Sequence, residues 1–155
     1  MGLDIVVESN VSNLSFSFRA GSYSGFHQFR CWLADMVSQE LTRRGVPPAV
    51  RNDMPFVELL FHSDCDGVLK SGECKALLKD FVAFDGAARA YCVTAVDEDV
   101  AASIVELDPS ARPRDRVITE RPLSVEDREW WLVKWGEWRL AVEVVAVGGG
   151  VVVFC

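Results

Sequence analysis

Apolar and polar residues alternate near both ends of the chain and recur with helical spacing between them. The runs Leu3–Glu8 and Leu14–Phe18 predict two strands that pair as a hairpin across residues 9–13. A third apolar run, Val151–Phe154, follows three glycines and predicts a buried strand in the same sheet. The expected architecture is therefore α+β: helices pack on a small antiparallel sheet, and residues 1–155 form one domain.

Two long helices account for most of the remaining apolar periodicity. The first is expected to begin at a Ser24 cap and to end at Arg44, and the second to run from a capping box of Ser124 and Asp127 to about Val147. The apolar face predicted for the second helix consists of Trp131, Trp135, Trp138, Val142 and Val145. Shorter helices are expected over Pro55–Phe61, Gly72–Val82, Ala87–Ala95 and Glu98–Leu107, with a surface loop over Asp108–Pro122.

The segment His62–Glu73 carries the clearest chemical pattern, with carboxylates alternating along a loop that a glycine can turn sharply. It resembles the twelve-residue EF-hand calcium loop, set in a helix-loop-helix. Calcium prefers six to eight oxygen ligands, which alternating carboxylates on a curled loop can supply. The predicted metal ligands are the side chains of His62, Asp64, Asp66 and Glu73 and the backbone carbonyl of Val68.

Two positions of this loop depart from the calcium pattern. His62 stands where the EF-hand has its first carboxylate, and Lys70 adds a positive charge at the ninth position. Both changes weaken the expected affinity for calcium, to roughly the millimolar range, and no second loop is found to pair with this one. The alternative is a metal-free loop in which Asp64 and Asp66 cap backbone amides.

Several segments together are similar to an uncharacterised group of small actinobacterial and phage proteins. These segments are Gly21–Arg30, Trp32–Ala34, His62–Gly67 with Glu73 and Cys74, and Val152–Cys155. The group has no established activity, so the resemblance implies no catalytic residues. It does imply that His62 and Cys65 belong to the loop motif, which favours a structural loop or a metal other than calcium.

Other chemistry has weaker support in the sequence. Zinc would use His62, Cys65 and Cys74, with Cys92 or His27 as a fourth ligand, but the paired short spacings of zinc sites are absent. Magnesium could be held by the loop carboxylates, although no phosphate clamp accompanies them. His27 and Cys31 are four residues apart on the first long helix and could form a thiol–imidazole pair, but both are expected to be surface residues.

The charge balance limits the choice of partner. The 155 residues include 16 basic and 23 acidic ones, for a net charge of −7. This balance opposes nucleic-acid binding and favours a protein partner with a basic surface. No apolar run is long enough for a membrane span. Five cysteines without paired spacing, and no recognisable export signal, are typical of reduced thiols in a cytoplasmic protein.

The leading hypothesis is a small, soluble, acidic and non-enzymatic module with one EF-hand-like loop. It would act by protein–protein interaction, as an inhibitor, immunity protein or regulator does, with a metal that is structural or absent. The alternatives are a metal-dependent hydrolase that uses Asp64, Asp66, Glu73 and His62, and a calcium sensor. Trp130 falls outside the apolar face of the last helix and is the candidate interface residue.

Overall fold

The computed structural model describes residues 2–11, 14–46, 54–63, 66–97, 104–105, 117–118 and 126–155. Six strands and four helices lie within these ranges. In chain order they are β1 (Gly2–Ser9), β2 (Phe16–Ser22), α1 (Tyr23–Arg43), α2 (Val57–Leu60), β3 (Val68–Lys70), α3 (Ser71–Asp97), β4 (Ile104–Val105), β5 (Val117–Ile118), α4 (Asp127–Gly148) and β6 (Gly150–Phe154).

The main sheet is antiparallel, with the strand order β2-β1-β6-β3. The hairpin and the C-terminal strand are therefore confirmed as parts of one sheet, and the fold is confirmed as α+β. The short edge strand β3 lies inside the predicted metal loop and was not expected from the sequence. Alternate residues of the four strands point to one buried face, as the period of two requires. Its fully covered members are Leu3, Ile5, Val7, Ala20, Leu69, Val152 and Phe154.

Helices α1, α3 and α4 cover that buried face. The apolar face predicted for α4 is confirmed, because all five of its residues are buried. Trp138 joins the two layers: its ring lies 5.6 Å from the rings of Phe26 on α1 and Phe154 on β6, and 5.3 Å from Phe18 on β2. Large aromatic rings in mutual contact bury much apolar area, so this group holds the helical layer to the sheet.

The helix starts differ from the sequence predictions. The cap of α1 is Ser22, whose Oγ accepts a hydrogen bond from the Gly25 N–H at 3.0 Å, and not Ser24. Helix α4 begins at Asp127 after Glu126, which makes no side-chain cap. Ser124, the predicted cap, lies outside the described residues. Helix α2 is only four residues long, shorter than the predicted Pro55–Phe61 helix.

Helix α3 is one continuous helix where two were predicted. It passes through Gly86 without a break because its neighbours are fixed by α4: Phe84 and Ala88 are buried, and the Ala88 carbonyl accepts a hydrogen bond from Trp131 Nε1 at 3.1 Å. Tertiary packing thus overrides the helix-breaking tendency of glycine. The helix predicted over Glu98–Leu107 is also wrong at its end, where β4 pairs with β5 and both contact α1. The other residues of that segment lie outside the described ranges, as does most of the predicted loop over Asp108–Pro122.

We expect Gly150→Ala to destabilise the fold strongly. Gly150 has φ +114°, and a Cβ there would lie 2.0 Å from the Glu8 carbonyl oxygen across the β1–β6 pair. The strain and the clash should cost about 2 kcal/mol or more of unfolding free energy, measured by urea denaturation. The matched control is Gly136→Ala in α4, where a Cβ meets nothing within 4 Å and stability should rise by up to about 1 kcal/mol. Equal stability of the two variants would contradict this account.

Candidate functional site

The predicted metal loop is attached to the C-terminal strand. Its residues 68–70 form β3, in which Val68 pairs with Val153 of β6, and its residues 71–73 begin α3. Gly67 adopts φ +107°, in the left-handed region that favours glycine, and its carbonyl accepts a hydrogen bond from the Phe154 N–H at 3.0 Å. Pairing with β6 of the main sheet therefore stabilises the shape of the loop.

The imidazole of His62 lies inside the loop. Its ring stacks on Phe154, with the ring centroids 3.8 Å apart and the planes 18° from parallel. Nδ1 lies 2.8 Å from the Ser63 carbonyl oxygen and Nε2 lies 3.3 Å from that of Val68. Both oxygens are acceptors, so the ring nitrogen that carries the proton donates to the carbonyl beside it. His62 thus engages the Val68 carbonyl that the sequence assigned to a metal.

A buried cation lies behind the loop. Arg30 of α1 is only 6% exposed, and its Nη1 donates to the carbonyl oxygens of Leu60 at 3.3 Å and His62 at 2.9 Å. The guanidinium also lies over the ring of Phe26, 4.8 Å from its centroid. These contacts join α1 to the end of α2 and the start of the loop. A fixed positive charge at this place opposes the binding of a second cation.

The carboxylates of the loop are not gathered around one point in the described residues. Glu73 Oε2 accepts a hydrogen bond from the Lys70 N–H at 2.7 Å, which caps α3, while Asp66 is exposed and Asp64 lies outside the described residues. Within the described ranges no group of three or more His, Cys, Asp and Glu side chains is placed to hold a metal. As placed, His62 and Glu73 both contact the backbone of the loop.

The cysteines with described side chains differ in exposure. Cys74 is buried in α3, where burial and then the neighbouring charge of Glu73 raise the pKa of its thiol to about 12. A thiol with so high a pKa is neither a ready nucleophile nor a ready metal ligand. Cys31 is also buried, so the expectation that it lies on the surface beside His27 is wrong. It belongs to the apolar core, while Cys155 is exposed.

Trp130 is half-buried. Its ring lies 6.0 Å from that of Trp32 and 6.5 Å from that of Phe29, both on α1. It also lines a cavity of about 300 Å³ beside Ser22 and Asp127, at the start of α1 and α4. The ring therefore contributes to the contact between these helices, and its assignment as an interface residue stays a prediction.

A different face of α4 carries the exposed apolar residues of this helix. Seven residues of α4 are exposed, and we name them the outer stripe: Glu129, Leu132, Val133, Gly136, Leu140, Glu143 and Val147. At 100° per residue they fall within about 100° of arc, opposite the buried tryptophans. Leu140 is 51% exposed and Val147 is 80% exposed. The helical spacing of these apolar residues is visible in the sequence, although the predicted apolar face of this helix did not include them.

Comparison with protein-family models, with curated proteins and with solved structures finds no match for this chain. The resemblances to EF-hand loops and to the uncharacterised actinobacterial and phage group therefore stay predictions. In the part of the chain that the structure describes, no helix is both long enough and apolar enough to cross a membrane.

We expect Arg30→Met to destabilise the protein, although methionine fills similar space. The substitution leaves the carbonyls of Leu60 and His62 without the guanidinium donor, at a cost of about 1–3 kcal/mol in unfolding free energy. Arg19→Met is the matched control, since Arg19 forms an exposed ion pair with Asp4 and its loss should be too small to resolve. Urea denaturation of both variants measures the difference. An Arg30→Met protein as stable as the control would show that the loop does not depend on this contact.

We expect calcium to leave the stability of the protein unchanged. The Arg30 guanidinium opposes a second cation, and Glu73 is engaged at the start of α3. Calorimetric titration of chelator-treated protein with calcium, magnesium and zinc should show no saturable heat, and the melting temperature should not move. The matched variant is Asp66→Ala. Saturable binding that this substitution abolishes would make the loop a true metal site and contradict the expectation.

Proposed function

We propose that this protein is a non-catalytic module that acts by binding a protein partner, with the outer stripe of α4 as its contact surface. The observation that carries the proposal is that α4 has two apolar faces. One packs on the core through its tryptophans, and the other presents Leu132, Val133, Leu140 and Val147 to solvent. A helix at the surface of an isolated domain normally keeps a polar outer face. Contiguous exposed apolar residues are typical of interaction surfaces.

The loop contacts support a non-catalytic role. A general base or metal ligand must be available to a substrate or an ion. His62 is instead stacked on Phe154 and hydrogen-bonded to loop carbonyls, and Glu73 caps α3. The pattern that resembles an EF-hand is in this arrangement a structural connection between α2, α3 and β6, and the metal is structural or absent.

The stripe is also held rigidly, which favours recognition. Trp135 Nε1 and Arg139 Nη1 both donate to Asp85 Oδ1 of α3, at 3.1 Å and 3.0 Å. Burial alone would raise the pKa of Asp85, but hydrogen bonds from Trp135 and Arg89 and the charges of Arg89 and Arg139 lower it overall. Asp85 is therefore ionised at neutral pH, and these charge-assisted bonds fix α4 on α3. A surface fixed before binding loses little conformational entropy when its partner arrives.

Site-specific photo-crosslinking in the cells that produce the protein tests this function. A photoreactive amino acid is placed in turn at Val133, at Leu140 and at exposed positions on other elements, such as Ser17 of β2. We expect a discrete protein adduct at Val133 and Leu140 and none at Ser17. No discrete adduct at any position would contradict a binding module. Adducts confined to other elements would keep the module and remove the outer stripe as its contact surface.

A further inference from the structure

Resting on the proposed function, we infer that the outer stripe of α4 binds an apolar helix of a partner protein that carries basic side chains about one heptad on either side of the point of closest approach. The inference starts from the order of residues along the stripe. Gly136 lies at its middle, with Glu129 seven residues before it and Glu143 seven residues after it. Seven residues of helix span about 10.5 Å, so each carboxylate lies about that far along the axis from Gly136.

The charged residues of the outer stripe are Glu129 and Glu143, and both are negative. None of the seven exposed residues is basic, and two of the three basic side chains of α4 make contacts within this chain. Lys134 is only 8% exposed, and its Nζ donates to the Arg19 carbonyl oxygen and to Glu137. Arg139 is engaged with Asp85 of α3. The stripe therefore presents apolar contacts between two carboxylates, which complement an apolar surface flanked by lysine or arginine.

Gly136 provides a point of close approach. A Cβ at this position would meet nothing within 4 Å, so the packing of this chain does not require glycine there. Glycine inside a helix also costs stability relative to alanine. Its absence of a side chain lets the backbone of a second helix approach α4 closely, with Val133 and Leu140 packing on either side of the crossing.

The charges of the stripe also favour a different protein over a second copy of this chain as the partner. If two α4 helices crossed antiparallel at Gly136, Glu129 of each copy would face Glu143 of the other. In a parallel pair Glu129 would face Glu129. Both arrangements place like charges together, which disfavours self-association. The net charge of −7 acts in the same direction.

A displayed library of helical hairpins tests the inference on the full chain. One helix of each member carries a fixed apolar stripe around a small residue, and its flanking positions vary among Lys, Arg, Glu and Ser. We expect selection on the protein to enrich Lys and Arg about one heptad to either side of the small residue. Binding of a selected member should weaken by about tenfold or more in Leu140→Gln and should fall with added salt. The double variant Glu129→Lys/Glu143→Lys should enrich Glu instead.

Two further variants keep the test decisive. Val82→Gln on α3 removes a residue that is 58% exposed outside the outer stripe, and it should bind like the unaltered protein. Gly136→Leu should bind weakly yet melt at or above the original temperature, because its side chain enters open space. The inference is overturned if selection enriches acidic flanking residues or enriches none. It is also overturned if both Leu140→Gln and Gly136→Leu bind the selected member fully. A dimer of the protein that Leu140→Gln dissociates in sedimentation would overturn it as well. If this inference fails but photo-crosslinks form on another element, the proposal of a binding module is retained. If photo-crosslinks form at no position, that proposal is contradicted too.

Discussion

Phe154 makes the contacts that join the sheet, the loop and the helical layer to one another. Its N–H donates to Gly67 and so holds the loop against β6. One set of ring contacts reaches His62, and another reaches Trp138 and Phe26 in the helical layer. The penultimate residue of the chain thus links the sheet, the loop and two helices. These contacts are far apart in sequence, so forming them requires the closure of long loops, which slows folding.

Arg30 and His62 together help to hold the shape of the loop over residues 62–73. Backbone carbonyl oxygens that point into a loop need partners. These partners can be hydrogen-bond donors or a bound cation. Here a guanidinium and an imidazole reach the carbonyl oxygens of Leu60, His62, Ser63 and Val68. A positive group of the chain itself thus couples the loop to the core.

Local periodicity was enough to predict most of the architecture. The strands at both ends, the long helices α1 and α4 and the buried tryptophan face all follow from spacing within a single element. Several of the errors arise from contacts between elements. The pairing of β3 with β6, the continuity of α3 through Gly86 and the burial of Cys31 each depend on a neighbour that no local pattern identifies. The same holds for the site: the loop motif was visible, but Arg30 lies 32 residues before His62 and carries no motif of its own.

The two faces of α4 are subject to different constraints. The inner face is fixed by its fit to Phe26, Phe81 and Phe154, so a change of volume there is felt by the whole core. The outer stripe is exposed, and a Cβ at Gly136 would meet nothing within 4 Å. Substitutions on it are therefore expected to disturb the fold less than substitutions on the inner face. Under the proposed function, descendants of this protein could exchange one binding specificity for another by altering a few residues on a single helix face, while the scaffold that presents that face stays the same.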